Sequence, residues 1–211
     1  MIDASNTKRF ITSGSARSTV RKLIAGLKAE GLKPGDRVCL HSFNDVSGFL
    51  AFGLVRSTGE SANSTQIYYP LLYLAIIGAG GIFTGSNPGY TSLELKHHIE
   101  TSHAKYIIGE PSRLNTILET AKECSIAESR IFVFDAFDKA SYGGLRSWET
   151  LLQHGEEDWI RFDDAQKQRT TVASLGFTSG STGLPKAAMI PHSYAISQIS
   201  ALQSRGKPYK V

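Results

Sequence analysis

Leu175-Gly176-Phe177-Thr178-Ser179-Gly180-Ser181-Thr182-Gly183-Leu184-Pro185-Lys186 runs on from an apolar strand starting at Val172, and it packs hydroxyls, glycines and one lysine into a single loop. Glycines let backbone N–H groups approach the oxygens of a polyphosphate, and Ser and Thr hydroxyls add donors that can rotate to suit. Lys186 supplies the compensating charge, and Pro185 restricts the backbone just before it, so the ammonium is presented from a defined position. The loop is not a Walker A sequence, which requires Gly-Lys-Ser/Thr, because Pro185 precedes Lys186 and Ala187 follows it. Nor is it the G-x-S-x-G elbow of serine hydrolases, since Ser179 and not glycine stands two places before Ser181.

Upstream of the loop, helical and strand patterns alternate. Val20, Leu23, Ile24 and Leu27 recur at helical spacing within 15–30, with Thr12 or Ser13 as cap and Gly31 as stop. A turn at Lys33-Pro34-Gly35-Asp36 leads into a strand at Arg37-Val38-Cys39-Leu40-His41. An apolar helix over 69–77 gives way to Gly78-Ala79-Gly80-Gly81 and a strand at Ile82-Phe83-Thr84. Thr91 and Glu94 have capping-box spacing and start the next helix at about Ser92. Strands at 106–108 and 131–134 and helices over 113–122 and around 148–153 continue the alternation. Strands separated by helices of this length imply an α/β domain with a mainly parallel sheet covered by helices.

The totals agree with a globular chain: 211 residues, 41% hydrophobic and 20% charged. The net charge of +4 is spread along the sequence without a basic stripe, so no nucleic-acid partner is expected. Cys39 and Cys124 lack CxxC or Cys/His ligand spacing, which argues against a disulfide framework and a zinc site. The first residues show no basic-then-apolar leader, and no segment reaches the roughly 18 apolar residues of a membrane span, so a cytoplasmic location is expected.

The loop at 175–186 resembles the phosphate-binding loop of the adenylate-forming superfamily, and further stretches resemble its acyl-CoA synthetase and 4-coumarate-CoA ligase branch. These are Gly35-Asp36-Arg37-Val38, Gly78-Ala79-Gly80-Gly81, Asn87-Pro88-Gly89-Tyr90-Thr91 with Glu94-Leu95, and Pro185-Lys186-Ala187-Ala188-Met189 followed by His192. The resemblance implies part of the N-terminal domain of that fold. It also implies a two-step reaction, in which a small carboxylic acid attacks the α-phosphate of ATP and the thiol of coenzyme A then displaces AMP. Magnesium would accompany the nucleotide. By position, Thr178, Ser179, Gly180, Ser181, Thr182, Gly183 and Lys186 would hold the β- and γ-phosphates, and His192 would neighbour the acyl pocket.

In that family the adenine, ribose and α-phosphate contacts, and the C-terminal domain with its catalytic lysine, follow this loop. The 211 residues are therefore expected to be an incomplete domain with negligible ligase activity of their own; the competing class is a non-enzymatic remnant that binds a nucleotide or partner, or nothing. Apolar faces left uncovered are expected to make such a chain aggregate.

The stretch 46–66 has no periodicity of its own and is read as an insertion. Its removal joins Asn44-Asp45 to Ile67-Tyr68-Tyr69-Pro70. Val46-Ser47 can be encoded by GTAAGT, Ala62-Asn63 can contain CTAAC and Gln66 can be encoded by CAG, the marks of a retained intron of fungal type; Val211 is open to the same reading as the start of a second one.

Glu94, His97, His98 and His103 have the composition of a metal site, but polar residues on an exposed helix explain them and no metal is expected there. The acidic residues Glu156-Glu157-Asp158, Asp163 and Asp164 read as a solvated loop, and Tyr68, Tyr69 and Tyr73 as packing residues of one helix.

Overall fold

Alternation of helix and strand patterns becomes a three-layer sandwich in the computed structural model, which describes residues 8, 10–42, 67–135, 142–178 and 183–204. The stretch 46–66 lies outside them. Helix α1 (Ser13–Ala29) starts at Thr12, whose hydroxyl accepts from the Ser15 N–H, and the chain leaves it through Gly31 at φ +86°. It feeds β1 (Arg37–His41) by way of the 33–36 turn. Asp36 closes that turn: one carboxylate oxygen accepts from the Lys33 N–H at 3.0 Å and the other from the Lys105 ammonium at 2.6 Å.

Helix α2 (Tyr69–Gly78) carries Pro70 in its first turn and precedes β2 (Ile82–Ser86). Helix α3 (Ser92–Ser102) opens with the full Thr91/Glu94 capping box and closes on His103, at φ 52°. Then come β3 (Ala104–Gly109), α4 (Leu114–Glu123), β4 (Ile131–Val133) and the short β5 (Arg146–Ser147). The expected helix around Trp148 is a 3-10 segment, Trp148–Gln153. Helix α5 (Ala165–Thr170), β6 (Val172–Thr178), β7 (Lys186–Pro191) and α6 (His192–Ser204) complete the described chain. The sequence reading left α5, β7 and α6 unassigned, because their residues lack a clear apolar period.

The strands form one sheet in the order β5-β4-β3-β1-β2-β6-β7. Each pair is parallel except β6 with β7. Side chains alternate across it. Val38, Leu40, Phe83, Tyr106 and Ile108 join a core built with α1, α2 and Trp148. Cys39 and Ile107 face the opposite core, with Leu95, Ile99, Ile117 and Ala121 of α3 and α4. Tyr69 and Tyr73 pack edge-on against Phe83, at ring separations of 6.0 and 4.9 Å, which agrees with their reading as packing residues.

The acidic stretch after Gly155 is not a free loop. Glu156 and Asp158 pair with Arg21, and Glu157 with Lys28 at 2.6 Å, so the segment lies along α1. Asp164 accepts from the Gln166 N–H and caps α5. The spacing of these acids hides both roles, since their partners are far away in sequence.

Gly26 marks the closest approach of α1 to the 148–153 segment: a Cβ there would overlap the Leu151 carbonyl oxygen and lie 2.6 Å from its Cα. Alanine ordinarily favours a helix over glycine by about 1 kcal/mol. Here the obstacle is backbone, which cannot swing away, so Gly26→Ala is expected to lower unfolding stability by about 2–4 kcal/mol. Urea denaturation of the two chains measures the difference, and a stabilised variant would contradict this packing.

Candidate functional site

Strand β6 ends at Thr178 and β7 begins at Lys186, and these two residues form the last register pair of an antiparallel hairpin. The hairpin therefore opens at the carboxyl end of β6. Because β6 runs parallel to β2, and β2 to β1, Thr178 and Lys186 stand at the same edge of the sheet as the ends of those strands. That edge is where open α/β sheets ordinarily bind ligands.

Thr178 and Lys186 are both exposed there, and the Thr178 hydroxyl donates to the Lys186 carbonyl at 3.4 Å. Among the described residues Lys186 makes no ion pair, which leaves its ammonium available to an anion. Gly183 is described and exposed; Ser179, Gly180, Ser181 and Thr182 lie outside the described residues. The donor set suits a polyphosphate: a hydroxyl and a cation are held at the mouth of the hairpin, with no carboxylate among the described residues paired to the cation.

Helix α3 braces this hairpin from the side. The reading of its histidines as exposed polar residues fails for His98, whose ring is buried. His98 lies one turn after Leu95 and next to Ile99, on the apolar stripe of the helix, and that position puts it inside. Its Nε2 is 3.0 Å from the Thr84 hydroxyl of β2, and its ring stacks on Phe177 of β6 with centroids 3.9 Å apart. His97, half-buried, donates from Nε2 to the Pro185 carbonyl at 3.0 Å. Among the described residues no group of three His, Cys, Asp or Glu side chains is placed to hold a metal ion.

A row of buried polar groups that the sequence reading missed ends the parallel strands. The Nδ1 of His41 lies 2.8 Å from the Ser86 hydroxyl, which also contacts the Cys39 thiol at 3.3 Å. Ser42 donates to Glu110 at 2.7 Å. The available signal was that β1 and β2 each end in a polar residue after an apolar run.

His192 is elsewhere. It opens α6 beyond the far end of β7, where its N–H donates to the Thr171 carbonyl. At about 3.3 Å per strand residue, the length of β7 sets it roughly 20 Å from Lys186. Its half-buried ring lies 4.8 Å from Phe162 and forms part of the wall of a largely apolar cavity of about 420 Å³, with Arg17, Leu71, Ile77 and Trp159 among its neighbours. Burial holds the His192 ring below the ordinary imidazole range.

A mostly parallel seven-stranded α/β sheet covered by helices matches the N-terminal domain of adenylate-forming enzymes. The chain belongs to the AMP-binding enzyme family, which it matches over residues 63–210. It is 44% identical over 199 residues to phenylacetyl-CoA ligase epaB of Aspergillus niger, covering 93% of this chain and 33% of that protein. Acyl-CoA ligase azaF, also of A. niger, is 43% identical over 199 residues, covering 93% of this chain and 34% of the relative. Among solved structures, ATP-bound MatB from Rhodopseudomonas palustris superposes with a TM-score of 0.66 at 23% identity, over 96% of this chain and 34% of that one. The chain thus spans about a third of the length of the relatives it matches. No helix among the described residues is long and apolar enough to cross a membrane.

The buried histidines make stability depend on pH. Burial is the larger cause in both cases: it pushes His41 down to about 4, with Arg113 adding to the effect, and His98 down to about 3, with His41 and His97 adding. In the unfolded chain both titrate near 6.5. Above that pH the two states bind the same protons at these sites. As the pH falls below it, the unfolded chain takes up protons the folded chain refuses, and stability is lost at up to about 1.4 kcal/mol per pH unit for each histidine. Denaturant melts at pH 7.5, 6.5 and 5.5 are expected to show a plateau followed by a decline; unchanged midpoints would contradict the burial of these rings.

Proposed function

We propose that this chain supplies the triphosphate-holding part of an ATP-dependent acid–thiol ligase of the acyl or aryl type. The observation carrying the reading is the hairpin mouth itself, where Thr178 and Lys186, which makes no ion pair among the described residues, face each other across the start of a Ser/Thr/Gly loop. The names of the relatives, a phenylacetyl-CoA ligase and an acyl-CoA ligase, support the same chemistry.

In the reaction a carboxylate oxygen attacks the α-phosphorus of ATP, the bond to the β-phosphate breaks, and pyrophosphate leaves. The sulfur of coenzyme A then attacks the acyl carbonyl, the bond to AMP breaks, and the thioester forms. The residues of this chain do no covalent work in either step. Thr178, Ser179, Gly180, Ser181, Thr182 and Gly183 position the β- and γ-phosphates through hydroxyl and backbone N–H donors, and Lys186 stabilises the charge of the departing pyrophosphate. Magnesium bound with the nucleotide would supply part of the neutralisation of its charge.

The stretch 46–66 is an insertion relative to this architecture, of the retained-intron kind, and sequencing the transcript across the codons for Asp45 and Ile67 tests that directly. Because the chain spans about a third of its relatives, thioester formation is expected of a longer protein carrying these residues, and not of the 211 residues alone. Calorimetric titration of the 211-residue chain with Mg-ATP is expected to show binding that Lys186→Ala weakens by about tenfold or more, the value of a charge-assisted contact. Equal affinity in the two chains would remove Lys186 from the site. A coenzyme A thioester formed by the 211-residue chain would show that the reaction needs nothing further.

A further inference from the structure

Two adjacent residues of α3 grip the two limbs of the loop-bearing hairpin. His98 stacks on Phe177, the residue before Thr178 on the outgoing limb, while its Nε2 is anchored on Thr84 of the neighbouring strand. His97 reaches the returning limb, and its Nε2 lies 3.0 Å from the carbonyl oxygen of Pro185. That oxygen can only accept, so Nε2 carries the proton. The Pro185 carbonyl belongs to the peptide plane whose nitrogen is that of Lys186. On the other side of the same residue, the Lys186 carbonyl accepts from the Thr178 hydroxyl. Both peptide groups flanking Lys186 are therefore held by side-chain donors, one from α3 and one from the opposite limb. The residue in between is exposed and makes no ion pair among the described residues, so its backbone is fixed while its ammonium stays open to an anion.

We propose that His97 is a positioning residue for anion capture by Lys186: by holding the Pro185–Lys186 peptide it sets the point from which the ammonium reaches a polyphosphate. The inference rests on the phosphate-loop reading of the proposed function and adds a residue outside the loop, on another element. His97 does not touch the anion. Its contribution passes through the peptide bond and disappears if Lys186 has no ammonium to aim.

The test is a double-mutant cycle on the 211-residue chain, read as affinity for inorganic tripolyphosphate by calorimetry. His97→Leu keeps the bulk and removes the donor; His97→Gln keeps an N–H within reach of the carbonyl. His97→Leu is expected to weaken tripolyphosphate binding by about five- to tenfold, the value of one such hydrogen bond, with His97→Gln restoring it to within about twofold of the parent. In the Lys186→Ala background the same change at His97 is expected to cost less than about twofold, because coupled residues do not add. A merely structural histidine would give losses that add in both backgrounds, and that result overturns the proposal. So does parental affinity in His97→Leu, or a His97→Gln chain that melts like the parent yet binds as weakly as His97→Leu. Tripolyphosphate binding that Lys186→Ala abolishes and His97→Leu leaves intact would remove only the role of His97. A parent chain with no tripolyphosphate affinity would overturn the phosphate-loop reading and this inference together.

Discussion

Burial of β1 on both faces is the constraint from which the rest of the architecture follows. Val38, Cys39, Leu40 and His41 are all fully buried, with alternate residues facing opposite layers. A strand in the middle of a parallel sheet cannot be covered by hairpins, because each parallel neighbour needs a crossover, and the crossovers supply the helices. α1 and α2 cover one face, and α3 and α4 the other. The order β3-β1-β2 places the first strand between its two successors and brings the ends of these strands to one edge. The polar groups at those ends, His41, Ser42, Ser86 and Glu110, are paired with one another within the fold.

The candidate site exploits the one departure from parallel order. β7 turns back on β6, and the turn-back brings Thr178 and Lys186, eight positions apart, to adjacent places across a ladder. A crossover there would have carried the lysine away from the loop. With the hairpin, hydroxyl, glycine and ammonium stay together, and α3 can brace the pair because the same helix packs beside β2 and β7. The buried pair His98–Thr84 is part of that brace. A hydrogen-bonded imidazole kept neutral by burial is a stiff spacer between helix and sheet, and its stacking on Phe177 extends the contact to the next strand.

Four exposed apolar side chains lie at the other boundary of the described structure. Met189 on β7 and Tyr194, Ile196 and Ile199 on α6 are well exposed, although neighbouring elements of the sheet bury most of their apolar residues. Among the described residues the sheet is covered on both faces around β1 and less fully beyond β6. The cavity beside His192 is bounded by α1, α2 and the 159–160 segment.

The sequence alone determined the α/β class, the helix starts at Thr12 and Thr91, the strand cores, the family and the chemical character of the loop. Each of these is local: caps act within a turn, apolar periods report which face is covered, and a run of Ser, Thr, Gly and Lys has the same donors wherever it sits. Tertiary structure decided the rest. It anchored His98 on Thr84 and stacked it on Phe177, bound Glu156, Glu157 and Asp158 to Arg21 and Lys28, and separated His192 from Lys186 by the length of a strand. It also joined His97 to Pro185, 88 positions away. These contacts follow from which elements become neighbours in space, and the spacing of residues along one element does not encode the identity of the element that packs against it.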